Sequence, residues 1–260
     1  MFPVLYESPS VIIPTWHVVF FLAVSFSFIL YRRLGDIYLK EVLNSDKNML
    51  FLVCYFSGYF GARLLSVIMV DKVTLNINQI LLGMSKIGDL TFLGGVFAST
   101  LSGFIYLKIK KLPFLKFLDI SLPPLLLGLS IGRIGCFLNG CDYGFAVKKN
   151  SWWTVTFPNH DNLVPRFPLQ IIEALVVFIF LIFILSQFQR LFNKNKSGTI
   201  GSYCFLFYSV FRFLNEFLRR DDRGWVIDQI LSTSQLASLC IIFFVFLFFS
   251  TNSSKKKFQL

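Results

Sequence analysis

Seven apolar segments recur along the chain, and their length limits its fold more than any other feature. They cover residues 16–30, 49–70, 92–107, 117–138, 169–188, 200–218 and 230–249. A helix needs about 20 apolar residues to cross a bilayer, and the shorter first and third segments would have to tilt or extend into flanking residues. We expect an all-α polytopic membrane bundle of about seven transmembrane helices. The whole chain, 1–260, would form a single transmembrane domain, with a short basic cytoplasmic tail at 251–260.

The composition agrees with a membrane protein and argues against a water-soluble one. Hydrophobic residues make up 55% of the chain and charged residues only 15%. The net charge of +11 could indicate a nucleic-acid partner. We expect none, because the basic residues are spread over short connections between apolar segments. The five cysteines show no disulfide framework, and the first apolar segment lacks the preceding basic region of a cleavable signal peptide.

The basic residues predict the orientation of the helices. The connections after the first, third and fifth segments, together with the C-terminal tail, carry 14 lysines and arginines. The opposite connections carry eight, and the N-terminus carries none. Cytoplasmic loops of membrane proteins are enriched in these residues. We therefore expect the N-terminus outside and the C-terminus in the cytoplasm.

Arg133 lies inside the fourth apolar segment, where an unpaired charge would cost several kcal/mol. Gly132 and Gly135 beside it remove side-chain bulk and would let a neighbouring helix or a lipid headgroup approach the backbone. The helix is expected to break at Asn139-Gly140, because Asn-Gly is a turn signal. Arg133 is therefore a candidate functional residue near the outer end of its helix.

A second polar group lies in the sixth segment. Arg212, Asn215, Glu216 and Arg219 are spaced i, i+3, i+4 and i+7, which predicts a shared helix face. One interpretation is a buried Arg212–Glu216 ion pair that only fixes helix packing. The other is an anion-binding face, since arginine suits bidentate phosphate contacts.

Other candidates are less specific. Cys136 and Cys141 lie about 140° apart on a continuous helix, which argues against a metal site or a disulfide. Glu173 is either functional or stabilised by the start of its helix. His17 follows Trp16 at the outer interface, where a solvated, non-catalytic histidine is the simpler interpretation.

Two motifs resemble the prolipoprotein diacylglyceryl transferase family of bacterial inner membranes. The first comprises Gly132-Arg-Ile-Gly135, Asn139-Gly140 and Gly144, and is similar to the family's phosphatidylglycerol-binding signature. The second is the segment Arg212-Phe-Leu-Asn-Glu216-Phe-Leu-Arg219. Weaker similarities follow the family's order along nearly the whole chain, at Trp16, Gly94-Gly95, 168–173 and 231–238.

The resemblance implies transfer of a diacylglyceryl group from phosphatidylglycerol to the lipobox cysteine of a prolipoprotein, with release of glycerol phosphate. The implied catalytic residues are Arg133, Arg212 and Glu216. The implied substrate-binding residues are Arg133, Asn139, Gly144, Gly94, Gly95, Arg219 and His17. The expected partners are phosphatidylglycerol, the prolipoprotein signal peptide and membrane lipids. No cofactor and no metal are expected.

Several positions depart from the family. Leu93 stands where a histidine commonly precedes the glycine pair, and Phe167 stands where the family has a histidine before a proline. His17 replaces a tyrosine, Cys136 an asparagine and Cys141 a glutamate. The positions that would hold phosphate therefore match better than those that would handle the proton of the acceptor thiol.

These departures keep two rival hypotheses open. One is a diverged family member that binds anionic phospholipid without transfer. The other is an unrelated transporter with Arg133, Glu173 and Glu216 along its path, although the sequence lacks the paired broken helices of many transporters.

Overall fold

The computed structural model describes residues 4–8, 12–69, 77–85, 91–148, 151–157, 164–219, 225–227 and 231–257. The α-helices in these ranges are α1 (Thr15–Tyr38), α2 (Asn44–Met69), α3 (Ile77–Ser85), α4 (Phe92–Ile109), α5 (Phe114–Asn139), α6 (Leu169–Lys194), α7 (Thr199–Asn215) and α8 (Thr233–Lys257). A 3-10 turn, Glu216–Leu218, follows α7 directly. The fold is mostly helical, as expected.

Each of the seven predicted apolar segments lies largely on one of these helices. Four helices are long and apolar enough to cross a membrane: Thr15–Tyr38, Asn44–Ile68, Phe114–Asn139 and Leu169–Lys194. Two shorter apolar stretches, Gly94–Ile109 and Thr233–Leu247, lie in α4 and α8. The chain is therefore a helical protein with several candidate membrane spans, while the number of seven spans and the sides of the termini stay predictions.

The structure corrects the all-α expectation in one respect. Strands β1 (Val4–Glu7) and β2 (Ile12–Pro14) form an antiparallel pair, and so do β3 (Trp225–Ile227) and β4 (Leu231–Ser232). These strands have two to four residues, too few for an alternating pattern to stand out in the sequence. The basic segment predicted as a tail begins as part of α8, which continues to Lys257, and 258–260 lie outside the described residues.

The chain divides into two compact units. The inserted unit covers Arg32–Phe117, and the discontinuous unit covers Met1–Tyr31 and Leu118–Leu260. In the inserted unit, α2 and α4 pack with their backbones in close approach. A Cβ atom added to Gly61 would lie 2.7 Å from the carbonyl oxygen of Gly94, so a larger residue does not fit there.

Polar contacts tie the helices of the discontinuous unit together. Ser27 on α1 donates a hydrogen bond to the carbonyl oxygen of Pro124 on α5 at 2.9 Å. Ser130 on α5 donates to the carbonyl oxygen of Ala174 on α6 at 2.8 Å. Trp16, in the first turn of α1, lies against Gly135, where an added Cβ would be 3.7 Å from the indole ring. The C-terminal part of α5 is thus fixed between α1 and α6.

Asp119 fixes the opposite end of α5 to the start of α7. Its carboxylate accepts hydrogen bonds from the backbone N–H groups of Gly198 at 2.7 Å and Gly201 at 2.8 Å. These two groups belong to a helix start, where backbone donors lack partners within the helix. Gly198 has φ +91°, a left-handed conformation that suits glycine. The C-terminal ends of α5 and α7 therefore lie together at the other end of the unit.

We predict that Asp119→Ala destabilises the protein by about 1.5–3 kcal/mol, because it leaves buried helix-terminal donors without their charged acceptor. The side chain is only 2% exposed, so water would not replace it fully. Thermal unfolding in detergent micelles measures the effect. Asp119→Asn retains one acceptor oxygen and should lose less. An unfolding midpoint unchanged in Asp119→Ala would refute this role.

Candidate active site

Three arginines and three carboxylates form one connected network in the discontinuous unit. Positive and negative groups alternate along it in the order Arg219, Asp142, Arg133, Glu173, Arg212, Glu216. The side chains come from α5, the loop after it, α6, α7 and the 3-10 turn. The network carries equal numbers of positive and negative charges, which lowers the cost of placing it within a helix bundle.

Glu173 is the centre of this network. Its Oε2 lies 2.6 Å from Nε of Arg133, and its Oε1 lies 3.6 Å from Nη1 of Arg212. The side-chain amide of Asn215 donates a hydrogen bond to Oε1. The carboxylate is only 3% exposed, so the two positive charges and the amide of Asn215 are close to it in place of bulk water, although Oε2 accepts no hydrogen bond from the described residues. One glutamate thus positions two arginines that come from different helices.

Asp142 joins Arg133 to Arg219. Its Oδ2 lies 2.5 Å from Nη1 of Arg133, and its Oδ1 lies 2.6 Å from Nη2 of Arg219. Burial raises the pKa of the Asp142 carboxyl, but the charges of Arg133, Arg219 and Arg212 outweigh burial and bring that pKa below its usual value. Asp142 is therefore ionised at neutral pH. It is also the most exposed member of the network, at 23%.

Arg212 has one guanidinium nitrogen that lacks a hydrogen bond. Its Nη2 pairs with Oε2 of Glu216 at 2.9 Å, which confirms the ion pair expected from the sequence. Its Nη1 is buried, and the 3.6 Å to Glu173 is too long for a hydrogen bond. No other residue that the structure describes accepts a hydrogen bond from this nitrogen. A buried donor of this kind calls for an explanation.

The predicted helix face is wrong for Arg219. Helix α7 ends at Asn215, the 3-10 turn Glu216–Leu218 follows, and Arg219 is extended with ψ 149°. Its backbone forms an antiparallel bridge with Gly144. The last turn tightens, as helix ends often do, and the chain then leaves the helix axis. Arg219 still reaches the network, but through Asp142.

The helix break predicted at Asn139-Gly140 is confirmed. Helix α5 ends at Asn139, and Gly140 has φ +80°. The backbone N–H groups of Gly140 and Cys141 both donate to the carbonyl oxygen of Cys136, at 2.9 and 3.1 Å. This C-terminal turn reverses the chain, so that Cys141 and Asp142 return alongside the last turn of α5.

The turn also corrects the expected separation of the two cysteines. The angle of about 140° holds only for a continuous helix. With the chain reversed at Gly140, the sulfur atoms of Cys136 and Cys141 and a carboxylate oxygen of Asp142 lie within 4.8 Å of one another.

Contacts with the segment before α6 hold the loop after α5. The side-chain amide of Gln170 donates to the carbonyl oxygen of Cys141 at 2.7 Å, and Gly144 N–H donates to Phe167 O at 3.2 Å. A Cβ added to Gly144 would lie 2.9 Å from that Phe167 oxygen. Gly144 therefore has a packing role, and its predicted contact with substrate stays a prediction.

The remaining predicted substrate-binding residues have other local contacts among the described residues. Gly94 and Gly95 pack α4 against α2 in the inserted unit. Asn139 ends α5, and its side chain contacts Cys141. His17 is exposed, with its ring edge-on to Trp16 at a centroid distance of 5.4 Å. Their roles toward a substrate stay predictions.

The sequence analysis left the role of Glu173 open and did not single out Asp142. Glu173 carried a signal, because a carboxylate within an apolar segment marks a functional candidate. Asp142 carried none, since its position depends on the reversal at Gly140 and on its own left-handed conformation, φ +61°.

Comparisons with known proteins show which family the sequence matches. A family model described as prolipoprotein diacylglyceryl transferase matches residues 3–251. The phosphatidylglycerol–prolipoprotein diacylglyceryl transferase of Clostridium tetani is 33% identical over 199 residues, which cover 76% of this chain and 77% of that protein. A second transferase of this name, from Clostridium perfringens, is 32% identical over 204 residues, 76% of each chain. The Rickettsia africae protein of this name is 30% identical over 229 residues, 83% of this chain and 86% of that one.

We predict that Glu173→Gln destabilises the protein by about 3–5 kcal/mol, because it leaves two buried guanidinium groups without their shared counter-charge. Glutamine keeps the size of the side chain, so cavity formation does not contribute. The unfolding temperature in micelles measures the loss. Glu41→Gln changes an exposed glutamate and serves as the control. Equal stability of the two variants would show that Glu173 does not hold the network.

Proposed function

Because the chain belongs to the prolipoprotein diacylglyceryl transferase family, we propose that it transfers the diacylglyceryl group of phosphatidylglycerol to the lipobox cysteine of a prolipoprotein. The observation that carries this proposal is the attachment of Arg133 and Arg212 to the two oxygens of one buried carboxylate, Glu173. Two guanidinium groups held this close form a site for a phosphate, which arginine binds with several directed hydrogen bonds.

Both arginines retain donors for a phosphate. Among the described residues, Arg133 uses Nε and Nη1 for Glu173 and Asp142, so Nη2 can serve a ligand. Arg212 offers the buried Nη1. A cavity of about 10 Å³ lies between these two arginines, Glu173 and Tyr208, enough for about one water molecule. A phosphate therefore requires a rearrangement of the side chains that line this cavity.

Gly132 marks the side from which the lipid approaches. A Cβ atom added to Gly132 would meet nothing within 4 Å, whereas one added to Gly135 would lie 3.1 Å from Val19. The surface of α5 next to Arg133 is therefore open at one glycine and packed at the other. We infer that the glycerol and phosphate of the lipid occupy the open space.

The chemistry requires charge stabilisation on the leaving group. The acceptor thiolate attacks the diacylglyceryl carbon that bears the phosphate, the C–O bond breaks, and its electron pair stays on the phosphate oxygen. Arg133 and Arg212 stabilise the charge that develops on the departing glycerol phosphate. Glu173 holds both arginines and Glu216 holds Arg212, so once the phosphate is bound little further reorganisation is needed while the C–O bond breaks.

The charge pattern supports a site that opens toward the outer leaflet of the bacterial inner membrane. Arg190, Lys194 and Lys196 lie at the end of the discontinuous unit where α6 meets α7, and the network lies at the other end. If the basic end faces the cytoplasm, the network faces outward. Arg133 is six residues, about 9 Å, from the end of α5, a depth close to the lipid headgroups.

We predict that Arg133→Ala and Arg212→Ala each lower diacylglyceryl transfer about a hundredfold or more, because each removes a donor to the leaving phosphate. Labelled phosphatidylglycerol and a lipobox peptide with the purified protein give the rate. Lysine variants keep the charge but lose the paired donors of arginine, so they should fold and recover only part of the activity.

Arg190→Ala, at the opposite end of α6, is the matched control and should transfer at the wild-type rate. Full activity of both alanine variants at the network would reject the site. Lipid binding without any transfer by the wild-type protein would favour a lipid-binding protein instead.

We predict that Gly132→Ala leaves the unfolding temperature unchanged and lowers transfer about tenfold, because the new methyl group occupies space that the lipid needs. A tenfold loss corresponds to a binding free energy of roughly 1.4 kcal/mol. Gly135→Ala is the contrasting variant and should lower the unfolding temperature through its contact with Val19. Wild-type transfer by Gly132→Ala would show that the lipid approaches from another side.

A further inference from the structure

Two thiols and a carboxylate converge beside the arginine network. The sulfur of Cys136 lies 3.6 Å from Oδ2 of Asp142, and the sulfur of Cys141 lies 3.7 Å from the carbonyl oxygen of Cys136. Both cysteines are half-buried and belong to no disulfide. The three potential ligand atoms, one from each residue, all lie within 4.8 Å of one another.

We propose that Cys136, Cys141 and Asp142 bind a Zn²⁺ ion whose fourth position receives the thiol of the acceptor cysteine. This inference rests on the proposed transferase function, for which it supplies the activation of the nucleophile. It departs from the sequence-based expectation of no metal, which relied on the angle between the cysteines on a continuous helix.

The ligand set and its spacing suit zinc. Zn²⁺ prefers thiolate, imidazole and carboxylate ligands in tetrahedral geometry, at about 2.3 Å to sulfur and about 2.0–2.2 Å to oxygen. These bond lengths place two sulfur ligands about 3.8 Å apart, so the ligand atoms need to approach by roughly 1 Å. Rotation of the cysteine side chains provides this movement. Three protein ligands leave one position for an exogenous ligand, the arrangement of catalytic zinc sites.

The surrounding residues support the site. Arg133 and Arg219 hold the oxygens of Asp142 and would fix its orientation as a ligand, since each carboxylate oxygen has more than one lone pair. Gln170 holds the carbonyl oxygen of Cys141. The arginine network is already balanced in charge, and a Zn²⁺ ion with two thiolates adds no net charge.

The acceptor thiol needs activation, and among the described residues no histidine belongs to the arginine network to provide it. The chain has two histidines, of which His17 is exposed and His160 lies outside the described residues. The family resemblance implies a histidine at the positions of Leu93 and Phe167, and this chain has none there. Glu173, Glu216 and Asp142 each pair with an arginine, so their carboxylates are already engaged. A thiol bound to Zn²⁺ loses its proton outright.

The step balances as follows. The acceptor thiol binds the fourth position of Zn²⁺ and releases its proton to water. The zinc-bound thiolate attacks the diacylglyceryl carbon that bears the phosphate, a C–S bond forms and the C–O bond breaks. The electron pair of the C–O bond leaves with glycerol phosphate, which Arg133 and Arg212 hold. The thioether product is a weak zinc ligand and dissociates, so Zn²⁺ is unchanged and no redox partner is needed.

Cobalt substitution tests the site directly. The full-length protein, purified in detergent and treated with a chelator, is titrated with Co²⁺, and thiolate-to-cobalt charge-transfer and tetrahedral d–d absorption are recorded. We expect one Co²⁺ per chain, with affinity at least about tenfold lower in Cys136→Ser and Cys141→Ser. Cys240→Ser, which changes an exposed cysteine on α8, should bind like wild type. Absence of thiolate bands, or bands unchanged in both site variants, would overturn the proposal.

A second variant separates loss of the metal ligands from misfolding as the reason for weaker Co²⁺ binding in the serine variants. The double substitution Cys136→Asn and Cys141→Glu installs the residues that the family resemblance implies at these positions, and it should unfold at the wild-type temperature without thiolate-to-cobalt bands. Thiolate-bound Co²⁺ in that variant would place the metal at other cysteines and overturn the assignment.

Activity separates this inference from the proposed function. Chelation should lower transfer to a lipobox peptide at least about tenfold, and Zn²⁺ should restore it. Transfer that resists chelation and both serine substitutions would overturn the zinc site and leave the transferase intact. A cobalt spectrum that shifts with the cysteine peptide but not with its serine analogue, without transfer by any form, would support the thiol-binding metal site and reject the transferase.

Discussion

The carboxylate of Glu173 is the contact on which the candidate site depends. It is almost fully buried, and it touches guanidinium groups from α5 and α7 as well as the amide of Asn215. A buried charge of this kind persists only when opposite charges and hydrogen bonds replace its hydration. Glu173 therefore requires both arginines, and both arginines require Glu173, so three helices are fixed together at one end of the discontinuous unit.

The same constraint explains the form of the helix ends. Helix α5 stops at Asn139 and reverses through Gly140, and α7 tightens into a 3-10 turn before Arg219. Each of these irregularities places a charged side chain, Asp142 or Arg219, in contact with the network. Continuous helices would carry these groups away from Arg133. Local departures from regular structure thus complete the charge balance of the site.

The sequence was sufficient to predict the long helices and the candidate arginines. It was not sufficient to predict the carboxylates that hold those arginines in place. The lengths of the apolar segments predicted every long helix. Arg133 and Arg212 were identified because a charge within an apolar segment is costly and therefore marks a functional candidate. The position of Asp142 and the approach of Cys136 to Cys141 depend on the chain reversal at the left-handed Gly140. The sequence marks the turn but does not show which side chains the turn brings together. Arg219 was assigned to the site, but on a helix that ends four residues before it.

Arg133 and Arg212 should hold one lipid phosphate between them. An experimental structure of the protein in lipid nanodiscs that contain phosphatidylglycerol would locate that phosphate. We expect its oxygen atoms about 2.7–3.2 Å from guanidinium nitrogens of both arginines. A headgroup phosphate bound elsewhere, with both arginines still paired only to Glu173, Asp142 and Glu216, would contradict it.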